Sequence, residues 1–144
     1  MPRTFDPSAS LGHWAARLSW AARGAMERRL RPLGVTPPMM AALLAVDAGM
    51  DRATQVAAHM GVDAAAVTRL LDRLSDAGLI GRCAAPGDRR GRSLSLSAKA
   101  RALLPALART ADGLDRELAA QLGPGESARL LATLKKLSAA ADRL

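Results

Sequence analysis

Thr68, Arg69 and Arg73 crowd one short segment of the chain, and Arg82, Arg89, Arg90 and Arg92 follow closely on it. Their chemistry is recognition: hydroxyl and guanidinium groups hold an anion or a base edge and break no bond. An arginine can grip guanine O6 and N7 with two parallel hydrogen bonds, and a threonine hydroxyl can serve base or phosphate. Ala65, just upstream, is small enough to allow close approach or to touch a thymine methyl. Asp88 precedes the second group of arginines, where its carboxylate can fix the direction of Arg90 by a charge-assisted hydrogen bond. Catalysis needs convergent acid, base or nucleophilic groups. The chain offers His13, His59 and a single cysteine, with no metal-ligand spacing and no phosphate-binding loop. An enzyme, a metal site and a cofactor are therefore not expected.

These residues need a scaffold, and the pattern around them supplies one. Val67, Leu70, Leu71 and Leu74 fall at i, i+3, i+4 and i+7, the buried stripe of a helix that Asp63 can cap and Gly78 can end. The opposite face then carries Ala65, Thr68, Arg69, Asp72, Arg73 and Asp76. Taken alone this face also suits surface ion pairs, Arg69 with Asp72 among them. A short helix from about Thr54, presenting Val56, Ala57 and Met60, ends at Gly61, so the link Gly61-Val62-Asp63 makes a helix-turn-helix. After it come a strand at Leu79–Ala84, a turn at Pro86-Gly87-Asp88 and the alternating strand Ser93-Leu94-Ser95-Leu96. An arginine-tipped hairpin can be an ordinary charged loop. Beside a helix-turn-helix it has a specific use, because the narrow minor groove of DNA has an enhanced negative potential.

The remaining elements are helical. A first helix runs from about Ser8 or Ser10 to about Arg31, with Leu11, Trp14, Leu18, Ala22, Ala25 and Leu30 near one stripe. Thr36 caps a second, with Pro37 at its first position and Met40, Leu43 and Leu44 as its apolar face. Ser97 caps a fifth reaching about Leu122, which Pro105 and Gly113 interrupt with a bend. Gly123-Pro124-Gly125 precedes a last helix carrying Leu130, Leu131, Leu134 and Leu137. The fold class is mainly α, an α+β winged helix-turn-helix of about six helices with a two-stranded wing, over a single domain 1–144. With only Phe5, Trp14 and Trp20 aromatic, its core is built from Leu, Ala, Val and Met. A net charge of +8 favours a polyanionic partner, and the hairpin, four arginines against Asp88, does so more strongly. One cysteine excludes a disulfide framework, no apolar run approaches the roughly 20 residues of a membrane span, and no signal-peptide core is present, so a cytoplasmic protein is expected.

From about Leu11 onward the chain resembles the MarR family of bacterial transcriptional regulators. The resemblance rests on GVTPP at 34–38, TQVAAHMGVDAAAVTRLLDRLSDAGLIGR at 54–82 and GDRRGRSLSLS at 87–97. It implies a homodimer interlocked through helices at 8–33 and 98–144, with a DNA-binding lobe at 36–97. It also implies a pseudo-palindromic promoter site in double-stranded DNA, with Thr68, Arg69 and Arg73 in the major groove. The family's aspartate-x-arginine wing motif falls on Asp88 and Arg90, which assigns Arg90 to the minor groove beside Arg89 and Arg92. Ser97 and Ala100 stand where the family usually has threonine and glycine, and Ala64-Ala65-Ala66 is poorer in hydroxyls than many relatives.

Family members often release DNA on binding a small aromatic or phenolic acid. His13, Trp14 and Arg17 could supply an aromatic wall and an anion grip; alternatively Trp14 is core and the other two are surface. Trp20 lies off the line of Trp14 and suits a cleft better. A redox-responsive regulator acting through Cys83, and a winged-fold protein-interaction module without specific DNA binding, are the alternatives. The second would be expected to lack the wing arginines. Independently of the resemblance, terminal helices rich in Leu and Ala need a partner to cover them.

Overall fold

Among the described residues the elements are α1 (Leu11–Leu30), α2 (Pro37–Asp47), α3 (Ala53–Met60), α4 (Ala64–Asp76), β1 (Ile80–Ala85), β2 (Asp88–Leu96), α5 (Ala98–Ala119) and α6 (Glu126–Ala141). This computed structural model describes residues 5–85 and 87–144, with the backbone alone described at 85 and 88–91. The architecture is the winged helix-turn-helix read from the sequence: among the described residues, six α-helices and one two-stranded antiparallel sheet, with single 3-10 turns at Pro7–Ala9 and Arg31–Leu33.

Helix ends follow from single residues. The Ser10 hydroxyl accepts the His13 N–H at 3.2 Å, Thr36 Oγ1 accepts that of Met39 at 3.4 Å, and Asp63 Oδ1 accepts that of Ala66 at 2.7 Å. Each satisfies a donor that the first turn leaves without a helical partner. α3 and α4 end at Gly61 and Gly78, with φ of 65° and 69°, left-handed values that side chains with a Cβ rarely adopt. These two glycines set the entry and exit of α4.

The core sits between α2, α3, α4, the root of the hairpin and the first half of α5. Leu30, Val35, Leu43, Val56, Val67, Leu71, Leu74, Leu79, Ile80, Leu94, Leu96, Ala100 and Leu107 form one buried cluster. The buried residues of α2 are Met39, Ala42, Leu43, Ala45 and Val46, with Met40 and Leu44 half-buried, which corrects the face expected from Met40, Leu43 and Leu44. α2 is apolar on nearly every side, so periodicity could not select the side that packs.

α5 runs as one helix through Pro105 and Gly113, the positions at which a bend was expected. Pro105 is exposed, and the carbonyl its missing N–H would have served belongs to exposed Arg101, which water can satisfy. The chain divides into two compact units, one running to Thr110 and one over Ala111–Leu144, the division falling within α5. In the second unit Leu114 is the one buried hydrophobic side chain. Leu118, Leu130, Leu131, Leu134 and Leu137 are 39–54% exposed. Among the described residues no helix is long and apolar enough to cross a membrane.

Candidate nucleic-acid interface

α4 is strongly two-faced. Val67, Leu70, Leu71 and Leu74 are at most 9% exposed, while Ala65, Thr68, Arg69, Asp72, Arg73 and Asp76 are exposed, as the periodicity required. Arg69 and Arg73 lie one turn apart, and among the described residues neither is engaged by a carboxylate. Their donors are therefore open to an external partner. Thr68 is less open: its hydroxyl donates back to the Ala64 carbonyl at 2.8 Å, leaving its oxygen as an acceptor toward solvent. Asp72 does not pair with Arg69, the pairing that helix spacing allowed. Its Oδ1 lies 2.9 Å from Nη2 of Arg82 on β1.

The hairpin leaves α4 directly. Ile80 pairs with Leu96, Arg82 with Leu94, Cys83 with Ser93 and Ala84 with Arg92, before a bulge between Ala84 and Ala85. β2 extends from Asp88, well before the Ser93 start expected from alternation. A third segment braces it: the Leu94 N–H donates to the Asp51 carbonyl at 2.8 Å, and the Ser93 hydroxyl lies 3.3 Å from Asp51 Oδ2. Arg92 is exposed. With Ala53, Thr68, Leu71, Arg82 and Leu94 it lines a hollow of about 220 Å³ between helix and wing. The side chains of Asp88, Arg89 and Arg90 lie outside the described residues. Cys83 is an exposed free thiol.

A larger cleft opens on the other flank of α4. About 440 Å³ in volume, it is lined by the apolar residues Pro37, Pro38, Ala41, Met60, Val62, Ala66 and Leu70 and by Arg23, Arg69 and Arg73. Arg23 escaped the sequence reading because it is one of several arginines on α1, and nothing in its spacing sets it apart. His13, Trp14 and Arg17 form their own cluster near the start of α1. The His13 and Trp14 rings meet edge-on at 5.7 Å, Arg17 lies 5.3 Å over the Trp14 ring, and Trp14 Nε1 donates to the Ser8 carbonyl at 2.9 Å. Trp14 is 53% exposed, so within this chain it is not the core residue that one reading of α1 made it, and Trp20 is 74% exposed. None of these four lines the cleft.

The arrangement presents cationic donors on a rigid helix with a braced hairpin beside it. Known proteins share this fold. Residues 33–91 match the family model described as MarR family. A cysteine-to-serine variant of MarR from Escherichia coli, solved with operator DNA, is 26% identical, with 94% of this chain and 98% of that one covered and a TM-score of 0.85. The transcriptional repressor CouR, known from Rhodococcus jostii, was solved on a 23-mer DNA duplex. It is 26% identical over 96% of this chain and 99% of that one, with a TM-score of 0.85. CouR has also been solved with p-coumaroyl-CoA, at 25% identity over 96% and 98% of the two chains and a TM-score of 0.83. BpsR of Bordetella bronchiseptica, whose DNA binding is regulated by 6-hydroxynicotinic acid, shares the fold at 21% identity. It covers 94% of this chain and 98% of its own, with a TM-score of 0.86.

Proposed function

We propose, for a chain whose residues 33–91 match the MarR family model, a sequence-specific DNA-binding transcriptional regulator of that family that represses promoters by occupying them. One observation carries the reading. Arg69 and Arg73 stand exposed and unengaged by any described carboxylate on α4, over a fully packed opposite face and beside a hairpin rich in arginine. A helix of this kind fits the major groove, where paired arginine donors read guanine, and the hairpin follows the backbone to the minor groove. On this reading Ala65, Thr68, Arg69 and Arg73 face bases and phosphates, and Asp88, Arg89, Arg90 and Arg92 serve the wing contact. The structures of MarR and CouR on DNA support the same use of the fold.

The active form is a homodimer joined through helices within 8–33 and 98–144. The unit Ala111–Leu144 buries Leu114 alone among its hydrophobic side chains and leaves five leucines 39–54% exposed. A unit of that size has too little core to stand by itself, and a second copy offers the same leucines to it in return. Dimerisation in turn requires a two-fold-related DNA site.

The effector is a compact anion with an apolar body. The cleft by α4 combines an apolar lining with Arg23, Arg69 and Arg73, the pairing of features that holds a small aromatic acid. Because Arg69 and Arg73 belong to both surfaces, an anion seated there competes with DNA for the same donors. The cluster of His13, Trp14 and Arg17, with Trp20 beyond it, is a second place for an aromatic acid, favoured by the stacking of Arg17 on Trp14.

Selection from a pool of randomised duplexes tests the reading. It is expected to enrich an inverted repeat, and addition of 6-hydroxynicotinate to the complex is expected to release the DNA more than its uncharged amide does. Recovery of unenriched sequence would overturn the regulator; release by both compounds alike would overturn the anionic grip.

A further inference from the structure

Asp72 is placed where a nucleic-acid-binding helix should not want it. It stands on the exposed face of α4, three residues after Arg69 and next to Arg73, and its charge repels every phosphate that those arginines attract. Its partner lies on another element. Arg82 comes from β1, with Nη2 at 2.9 Å from Asp72 Oδ1. Among the described residues this is the one ion pair that joins α4 to the hairpin.

The two ends of the pair are held differently. The Arg82 side chain is 24% exposed and its Nε is buried without a hydrogen-bond partner, so its stem lies against the interior and only its tip reaches out. In register it faces Leu94, which is 5% exposed and whose N–H is bound by the Asp51 carbonyl. Arg82 is thereby fixed to the braced root of the wing. Asp72 is 56% exposed and is fixed to α4. Arg82, Thr68 and Arg92 together line one hollow between helix and wing.

We propose that Arg82 and Asp72 are positioning residues for DNA recognition, a tether that sets the angle of the wing to the recognition helix so that groove and backbone contacts form together. Arg82 also neutralises the carboxylate that the tether requires on the DNA-facing surface. The proposal rests on the DNA-binding reading and adds a consequence with opposite signs. Removing the charge of Asp72 takes a repulsive group off the interface and strengthens binding to any duplex, while the freed wing lowers selectivity. Removing Arg82 leaves the carboxylate bare, weakens binding to every duplex and lowers selectivity as well.

The full chain is tested as wild type, Asp72→Asn, Arg82→Ala, Arg82→Lys and the Asp72→Asn/Arg82→Ala double variant. Amide hydrogen exchange in the hairpin, without DNA, reports the tether directly. Affinity for a duplex enriched by the wild type, against its shuffled counterpart, reports recognition. Exchange at 80–84 and 92–96 is expected to quicken in both single neutralising variants, with amides of α2 unchanged and the double variant no faster than either single one. The selected-to-shuffled ratio is expected to fall roughly ten-fold, within the usual coupling of two groups in one network. Asp72→Asn is expected to bind the shuffled duplex more tightly than wild type and Arg82→Ala more weakly. Arg82→Lys keeps the charge without the planar fork and is expected to recover part of the ratio. Unchanged hairpin exchange would overturn the tether whatever the DNA results, and quickened exchange with an unchanged ratio would overturn its part in recognition. A wild type that enriches no duplex would overturn the reading beneath the proposal, and the exchange data, taken without DNA, tell that failure from the other two.

Discussion

Arg69 and Arg73 are asked to do two things, and substitution separates them. If either makes a bidentate base contact, Arg69→Ala or Arg73→Ala costs about 1–3 kcal/mol on the selected duplex and little on a shuffled one. Equal losses on both duplexes in an anisotropy titration would make them phosphate contacts instead. Arg23→Ala separates the cleft from the DNA face: it is expected to leave duplex affinity near wild type and to raise the concentration of a small aromatic acid, such as benzoate, needed for release. Unchanged release in that variant would move the effector away from the cleft, toward the cluster of His13, Trp14 and Arg17. The exposed residues of α4 were legible in the sequence because Val67, Leu70, Leu71 and Leu74 fix which side is buried and so which side is free. The Arg82–Asp72 pair was not, since spacing relates residues within a helix and carries no information about a strand that returns beside it. Arg23 was illegible for the same reason: its neighbours in the cleft come from α2, α3 and α4.

At the scale of elements, α4 is held where it ends. The Ser97 hydroxyl donates to the Gly78 carbonyl at 2.7 Å and accepts the Ala100 N–H at 3.1 Å, the Ser97 N–H binds the Leu79 carbonyl, and Lys99 Nζ reaches the Ala77 carbonyl at 2.9 Å. The start of α5 is thus bonded to the end of α4, and one serine serves both. Ser97→Ala is expected to cost about 1–2 kcal/mol, the usual loss of a cap, and to lower Tm by roughly 2–8 °C. Ser97→Thr keeps both bonds and should stay near wild type; equal Tm in the alanine variant would deny the serine this role. Leu74→Ala, fully buried in wild type, is expected to cost about 2–5 kcal/mol by denaturant titration. Helix ends were readable because Ser10, Thr36, Asp63, Gly61 and Gly78 each leave a local chemical mark. The face of α2 was not, because PPMMAALLAVD is apolar on nearly every side and only its neighbours decide which residues pack. The length of β2 was hidden too, since DRRGR carries no alternation and pairing with β1 alone makes it a strand.

For the molecule as a whole, the account requires two copies on one two-fold-related site. Leu130→Glu and Leu134→Glu place charge on helical faces that are 39% and 42% exposed in the single chain. Sedimentation equilibrium is expected to find wild type as a dimer and these variants as monomers or markedly weaker dimers, with DNA affinity falling alongside. Dimers of unchanged strength would assign that face to something else. The net charge of +8 adds a sequence-independent attraction that weakens steeply with salt, so affinity at one ionic strength says little about specificity. The most direct measurement is therefore a fluorescence-anisotropy titration of the selected duplex against its shuffled counterpart at two salt concentrations. A sequence-specific regulator binds the selected duplex roughly a thousand-fold or more tightly, with both affinities falling as salt rises. Equal affinity for the two duplexes at both concentrations would contradict the account.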